Sequence, residues 1–230
     1  QIRSSAASDV YKRQVWNIPK YGTINLHASL LPDYRGSAPI NWVIMNNEKI
    51  TGVTTFFIDD KIDTGDILIQ EKIKIDKKIN AGELHDKLKL IGASIVEKTL
   101  KGIVENSLQR VKQIQKNDFN NAYKFDKTNI KIDWNQNCLE IYNKIRGLSP
   151  FPGAKTSLIS KSGETMNTIF YESEYLVEKH NHNNGKIIHE KGKIKITCKN
   201  GYLFIKNLKI EGKRRMDTES LLNGFKIEKY

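Results

Sequence analysis

Asn25 and His27 are the residues whose types and spacing most directly suggest chemistry. They stand two apart at the end of an apolar run, and Ser29-Leu30-Leu31-Pro32-Asp33-Tyr34-Arg35-Gly36 follows. In a strand, residues i and i+2 share a face. Asn25 and His27 should therefore point the same way, with Leu26 turned into the core. An amide beside an imidazole at a strand end can polarise a carbonyl and move a proton. A lone histidine in such a place is more often a satisfied polar residue than a catalytic one. A carboxylate changes that balance. Asp63 lies in Asp63-Thr64-Gly65-Asp66, between two runs with strand character at 52–59 and 67–75. If those strands are neighbours, its carboxylate approaches the His27 imidazole, orients it and favours its charged form. By itself Asp-Thr-Gly-Asp reads as a solvated turn.

These three side chains need elements to hold them. Ser37 can cap a helix whose first turn suits Pro39. That helix should run to about residue 46, with Ile40, Val43 and Ile44 buried. Asn80 and Glu83 have capping-box spacing. Behind them Leu84, Leu88, Ile91, Ile95 and Ile103 form the apolar stripe of a long helix, which is core packing without chemistry. His85 beside it reads as a surface residue. Residues 107–125 are polar and lack sustained periodicity, so they read as a linker. A helix at 136–146 should stop at Gly147. Short strands at 155–160, 166–173, 185–189, 193–198 and 202–210 then suggest a small barrel or sandwich. A last helix at 218–222 should end at Gly224. His180 and His182 flank a loop tip without a carboxylate or cysteine at ligand spacing, so no metal is expected.

Composition sets wider bounds. A chain of 230 residues with 38% hydrophobic and 28% charged residues can bury a core as one large or two small domains. Its 38 Lys and Arg against 26 Asp and Glu give a formal net charge of +12. That excess favours a polyanionic partner, for which nucleic acid is the usual candidate; a lysine-rich proteome is the plainer explanation. No apolar run is long enough to span a bilayer. Cys138 and Cys198 are isolated, which suits a reducing compartment.

The motifs taken together resemble the folate-dependent formyltransferases. The resemblance rests on Asn25-x-His27, Ser29-Leu30-Leu31-Pro32, Tyr34-Arg35-Gly36, Ala38-Pro39, Thr51-Gly52-Val53-Thr54 and Asp63-Thr64-Gly65-Asp66. It continues through Ile145-Arg146-Gly147-Leu148-Ser149-Pro150-Phe151-Pro152-Gly153-Ala154, then Gly212-Lys213-Arg214-Arg215-Met216 and Leu221-Leu222-Asn223-Gly224. The C-terminal segments are most similar to the branch that acts on initiator methionyl-tRNA. The implied fold is α/β: a partial Rossmann-like formyltransferase domain at 15–106, a linker at 107–125, and a small OB-like β-barrel domain at 126–230 that contacts tRNA.

The resemblance also implies a reaction. A formyl group would pass from 10-formyltetrahydrofolate, the co-substrate, to the methionine α-amino group of initiator methionyl-tRNA. Asn25 would donate to the developing oxyanion. His27 would donate too and carry a proton, and Asp63 would keep His27 basic. Ser29, Leu30, Leu31 and Pro32 correspond to a folate-binding signature. Lys213, Arg214 and Arg215 would meet RNA phosphates. A monomeric, cytoplasmic enzyme without metal or membrane is implied. Residues 1–14 do not match what the family places there and are expected to be extraneous sequence, or else a divergent tail, on an N-terminally truncated, inactive chain. Two other readings stay open. One is an amino-sugar nucleotide formyltransferase, which shares the Asn-His-Asp set. The other is an inert fragment that retains only RNA binding.

Overall fold

The computed structural model describes residues 15–114, 118–160, 163–190, 192–224 and 227–229. The expectation for residues 1–14 lies outside them. In chain order the elements begin with β1 (Ile24–His27), β2 (Arg35–Gly36), α1 (Pro39–Met45), β3 (Ile50–Phe57), β4 (Ile67–Lys74), α2 (Ala81–Val104) and β5 (Asn121–Ala122). They continue with α3 (Cys138–Leu148), β6 (Ala154–Ser160), β7 (Thr165–Val177), β8 (Ile187–Glu190), β9 (Lys193–Cys198), β10 (Gly201–Ile210), β11 (Arg215–Asp217), α4 (Thr218–Gly224) and β12 (Ile227–Lys229). Contacts divide the chain into two compact units. Among the described residues, the first gathers those within 15–40, 49–75 and 85–124, and the second those within 41–48, 76–84 and 125–229.

The first unit holds an antiparallel sheet in the order β1-β3-β4. Its middle strand is buried from Thr51 to Phe56 without alternation, as a strand covered on both faces must be. Two of the hydroxyls this buries find partners, and that of Thr51 does not: Thr54 Oγ1 donates to the Ser29 carbonyl, and Thr55 Oγ1 lies 2.8 Å from Thr99 Oγ1, which donates to the Ile95 carbonyl at 2.7 Å. Gly52 allows the strands to close, because a Cβ there would stand 2.0 Å from the Glu71 carbonyl oxygen. The capping box of α2 is present, with Asn80 N–H donating to Glu83 and Glu83 N–H to Asn80, each at 3.0 Å. Leu84, Leu88 and Ile95 on its stripe are buried.

Leu26 departs from the expectation. It is 38% exposed, because β1 is an outer strand of this sheet; its side chain rests over Gly92 of α2. The stretch expected to link two domains also uses its backbone in pairing. Val111 exchanges hydrogen bonds with Ile67 at 2.8 and 2.9 Å, and β5 pairs in parallel with β2.

The second unit is built on a seven-stranded antiparallel sheet that fits an OB-like domain, ordered β12-β6-β7-β10-β9-β8 with β11 alongside β10. Ile141, Ile145 and Leu148 of α3 join Phe170, Ile196, Leu203 and Leu208 in its core. The helix starts at a cap in which Asn137 N–H donates to Glu140 at 2.8 Å. Gly147 does not stop it. The glycine lies inside the helix, where a Cβ would meet Met45 Cγ at 2.6 Å and the Asn41 carbonyl oxygen at 3.1 Å. The stop comes at Ser149, held extended at φ −91° and ψ 137°. Pro150 follows and excludes the helical conformation from the residue before it.

Arg146 is buried in the same helix. It donates to Asn143 Oδ1 at 2.9 Å and to the carbonyls of Ile79 at 3.0 Å and Ile44 at 3.4 Å. It thereby ties segments 41–48 and 76–84 into the unit, although burial works against its charge.

Candidate active site

His27 ends β1, opposite Thr54 of β3, and is buried. The turn after it doubles back so that the Tyr34 carbonyl oxygen lies 2.8 Å from His27 Nε2. A carbonyl only accepts, so Nε2 carries the hydrogen. Nδ1 then faces Asp63, whose Oδ2 is 3.7 Å away. That separation exceeds a hydrogen bond, and it leaves Nδ1 as the nitrogen able to take or give a proton.

Three interactions shape the turn that supplies the Tyr34 carbonyl. Ser29 Oγ donates to the Asp33 carbonyl at 2.7 Å, Thr54 Oγ1 donates to the Ser29 carbonyl at 2.7 Å, and Gln70 Nε2 donates to the Leu31 carbonyl at 2.8 Å. The Leu31–Pro32 peptide is cis, and Tyr34 is left-handed at φ +61°.

Asp63 reaches the imidazole from the loop between β3 and β4. Its backbone is left-handed at φ +55°, uncommon for a residue other than glycine. Its Oδ2 also accepts the Gly36 N–H at 2.9 Å. Two glycines make this possible. Gly36, at φ +120°, would place a Cβ 2.5 Å from the Ala122 carbonyl oxygen, and Gly65 would place one 1.7 Å from that of Phe57. Asp-Thr-Gly-Asp is therefore a loop pressed against β3, with its first carboxylate mostly buried. Asn25 lies two residues before His27 on the strand. Its Oδ1 accepts the Leu26 N–H at 2.9 Å, which makes the NH2 group its donating end. Arg35, Gly36, Ile62, Asp63 and Tyr123 line a cleft of about 570 Å³. A second cavity of about 530 Å³, bounded by Trp16, Phe57 and Arg110 among others, includes none of the sequence-predicted site residues.

The structure thus brings His27 and Asp63 together and sets Asn25 on the strand beside them. Within Ser29-Leu30-Leu31-Pro32, Ser29 and Leu31 are buried, while Leu30 and Pro32 are half-buried. The first and third residues of that segment shape the turn, and the second and fourth reach its surface. Sequence reasoning missed the Tyr34 carbonyl and the Gly36 amide as partners of the pair. Both lie in the noted Tyr34-Arg35-Gly36 run, but a backbone group leaves no mark in a sequence.

In the second unit Lys213, Arg214 and Arg215 are exposed. Arg215 is the most constrained: its guanidinium sits 4.5 Å from the Tyr171 ring centroid and donates to Asn207 Oδ1. The same unit has a groove of about 510 Å³ whose lining includes Lys127, Lys131, Lys155 and Lys209 together with Glu211. These lysines are dispersed along the chain, so no sequence run announces the groove. His180 is a structural residue: its Nε2 lies 2.7 Å from the Cys198 carbonyl oxygen. Among the described residues no group of three or more His, Cys, Asp or Glu could hold a metal, and no helix is long and apolar enough to cross a membrane.

Comparison with known proteins gives a consistent picture. Residues 10–100 match the family described as Formyl transferase, and residues 124–226 match Formyl transferase, C-terminal domain. A methionyl-tRNA formyltransferase of Flavobacterium johnsoniae is 50% identical over 210 residues, which are 91% of this chain and 66% of that protein. One from Clostridium tetani is 43% identical over 227 residues, covering 97% of this chain and 71% of the relative. The chain spans about two thirds of the length of the curated relatives it matches. Among solved structures, the N-formyltransferase of Helicobacter canadensis in complex with folinic acid and dTDP-3-aminofucose aligns at 26% identity and a TM-score of 0.62, covering 79% of this chain and 64% of that one.

Proposed function

The chain belongs to the methionyl-tRNA formyltransferase family, and from that premise we propose that it transfers the formyl group of 10-formyltetrahydrofolate to the methionine α-amino group of initiator methionyl-tRNA. The observation that carries the reading is His27, held by the Tyr34 carbonyl on one nitrogen and faced by the Asp63 carboxylate on the other. The amine attacks the formyl carbon, and negative charge develops on the formyl oxygen. The Asn25 NH2 group donates to that oxygen; one such donor typically lowers the barrier by about 3 kcal/mol. His27 Nδ1 takes the proton that the attacking nitrogen gives up and delivers it to the departing folate nitrogen. Asp63 offsets the positive charge on the ring in between. The new C–N amide bond forms as the old one breaks, and one proton moves from acceptor nitrogen to donor nitrogen.

Leu30 and Pro32, at the surface of the turn, are the members of the folate-binding signature we assign to the donor. We read 15–106 as the part that carries the chemistry and 126–230 as the tRNA-contacting part, joined through 107–125. Lys213, Arg214 and Arg215 supply phosphate contacts. The reading implies a cytoplasmic monomer, since charged initiator tRNA is used in that compartment.

A second reading, formylation of an amino-sugar nucleotide, is favoured by the ligand of the Helicobacter canadensis relative. The lysine-lined groove and the formal charge of +12 support the larger polyanion instead. The deciding experiment offers the full-length enzyme 10-formyltetrahydrofolate with either initiator methionyl-tRNA or a dTDP-amino sugar. Formyl-methionyl-tRNA as the product supports the first reading. Formylation of the sugar alone selects the second.

A further inference from the structure

The Asp63 loop is clamped by a side chain from the polar stretch that follows α2. Gln113 Nε2 donates to the carbonyl of Asp63 at 3.0 Å and to that of Gly65 at 2.8 Å. Its Oε1 accepts from Arg35 Nε at 3.2 Å and Nη2 at 2.5 Å. Arg35 precedes Gly36, whose N–H donates to the Asp63 carboxylate. The contacts therefore close a ring. It runs from the Gln113 amide through the loop backbone to the Asp63 carboxylate, on to the Gly36 N–H, along β2 to the Arg35 guanidinium, and back to Gln113. From this ring we infer that Gln113 is a positioning residue for the proposed formyl transfer, acting on His27 through Asp63. The inference rests on the functional reading above.

The chemistry of the clamp is specific. Both Gln113 N–H donors go to the two carbonyls that flank Thr64, while its oxygen serves a guanidinium. A carboxylate at this position has no donor for the carbonyls, and an ammonium or guanidinium has no acceptor for Arg35. Only an amide of this reach satisfies both sides. The loop it holds contains Asp63 in a left-handed conformation, which a chain keeps only where its surroundings over-determine it. Without the clamp, the backbone at Asp63 is free to relax toward commoner dihedrals. The carboxylate would then leave its place 3.7 Å from His27 Nδ1. The sequence had placed Gln113 in a linker, so nothing in the one-dimensional pattern connected it to the site.

The test is a double-mutant cycle in the full-length enzyme. Gln113→Ala and Gln113→Glu are each made alone and with Asp63→Asn, and kcat and KM are measured for both substrates. Gln113→Ala should lower kcat by about tenfold to a hundredfold while each KM moves much less, the pattern of a displaced catalytic group. Gln113→Glu should fall with it, because it retains the Arg35 contact but sets a carboxylate against two carbonyls. In the Asp63→Asn background both losses should largely vanish. Wild-type turnover in either single variant, or an equal loss in both backgrounds, would overturn the proposal. A substrate-free measurement accompanies the kinetics. The His27 ring signals in NMR should shift in Gln113→Glu in the same direction as in Asp63→Asn, and unshifted signals would also overturn it. That arm stands even if the enzyme formylates neither acceptor, so failure of the functional reading and failure of this one are told apart.

Discussion

Replacing Asp63 by Asn alters one charge and almost no shape. The amide oxygen can still accept the Gly36 N–H that Asp63 Oδ2 accepts at 2.9 Å. That same oxygen keeps its place 3.7 Å from His27 Nδ1, now without the carboxylate charge, and the amide nitrogen takes the position of the other carboxylate oxygen. The variant should therefore fold and bind as the parent does, while holding a neutral ring. What disappears is the attraction between the carboxylate and the positive charge His27 gains while it carries the proton. At this separation and an effective dielectric of about 20, that attraction is worth about 4 kcal/mol. The side chains are only 8% and 14% exposed, so screening by solvent removes little of it. If the charge develops fully in the transition state, kcat should fall by about a thousandfold; partial development would leave about a hundredfold, still within the usual range for general acid–base help. The assay is steady-state formylation by the full-length enzyme with each substrate varied in turn. His27→Ala and the double variant complete it, and the double should lose less than the product of the two singles, because the residues act as a unit. A kcat loss smaller than about tenfold, or one carried wholly by KM, would refute the reasoning.

Other outcomes follow from the same geometry. Gly65→Ala should lose about 3 kcal/mol of stability in urea unfolding, since its Cβ would collide with the Phe57 carbonyl oxygen at 1.7 Å, a backbone atom that cannot swing aside; an unchanged midpoint would show the loop to be pliant. Replacing Lys213, Arg214 and Arg215 together by Ala should weaken tRNA binding and flatten its dependence on salt, and an unchanged salt slope would return them to an ordinary solvated surface. Cys138 and Cys198 should resist a thiol reagent at pH 8 until the protein is unfolded, because burial raises both thiols, Cys198 to about 12. The sign for stability follows directly: the folded state holds these protons more tightly than the unfolded chain. The contribution is thus complete below the ordinary thiol value of 9.0 and is lost as pH rises toward 12, which unfolding curves across that window would record.

What the sequence determined by itself was whatever depends on near neighbours. The capping box at Asn80 and Glu83 was legible because its partners are three residues apart on one turn. The strands 50–57, 67–74, 193–198 and 201–210 were visible, within a few residues at their ends, from β-branched and aromatic runs. Asn25 and His27 could be set on one face because strand period is a local property. The family motifs pointed to the three candidate site side chains for the same reason, since a motif stores residue types and spacing. Tertiary structure alone decided the rest. It placed Asp63 against Nδ1 of His27, and it chose the tautomer through a carbonyl that no residue type encodes. It turned Gly147 from an expected stop into a packing contact with Met45, and left Leu26 half out of the core. It collected four lysines from three stretches into one groove, and carried Gln113 from an apparent linker to the loop that holds Asp63. Most of these bring together residues far apart in sequence. Their meeting depends on strand register and on which helix face is covered, and neither is a property of any short window of the chain.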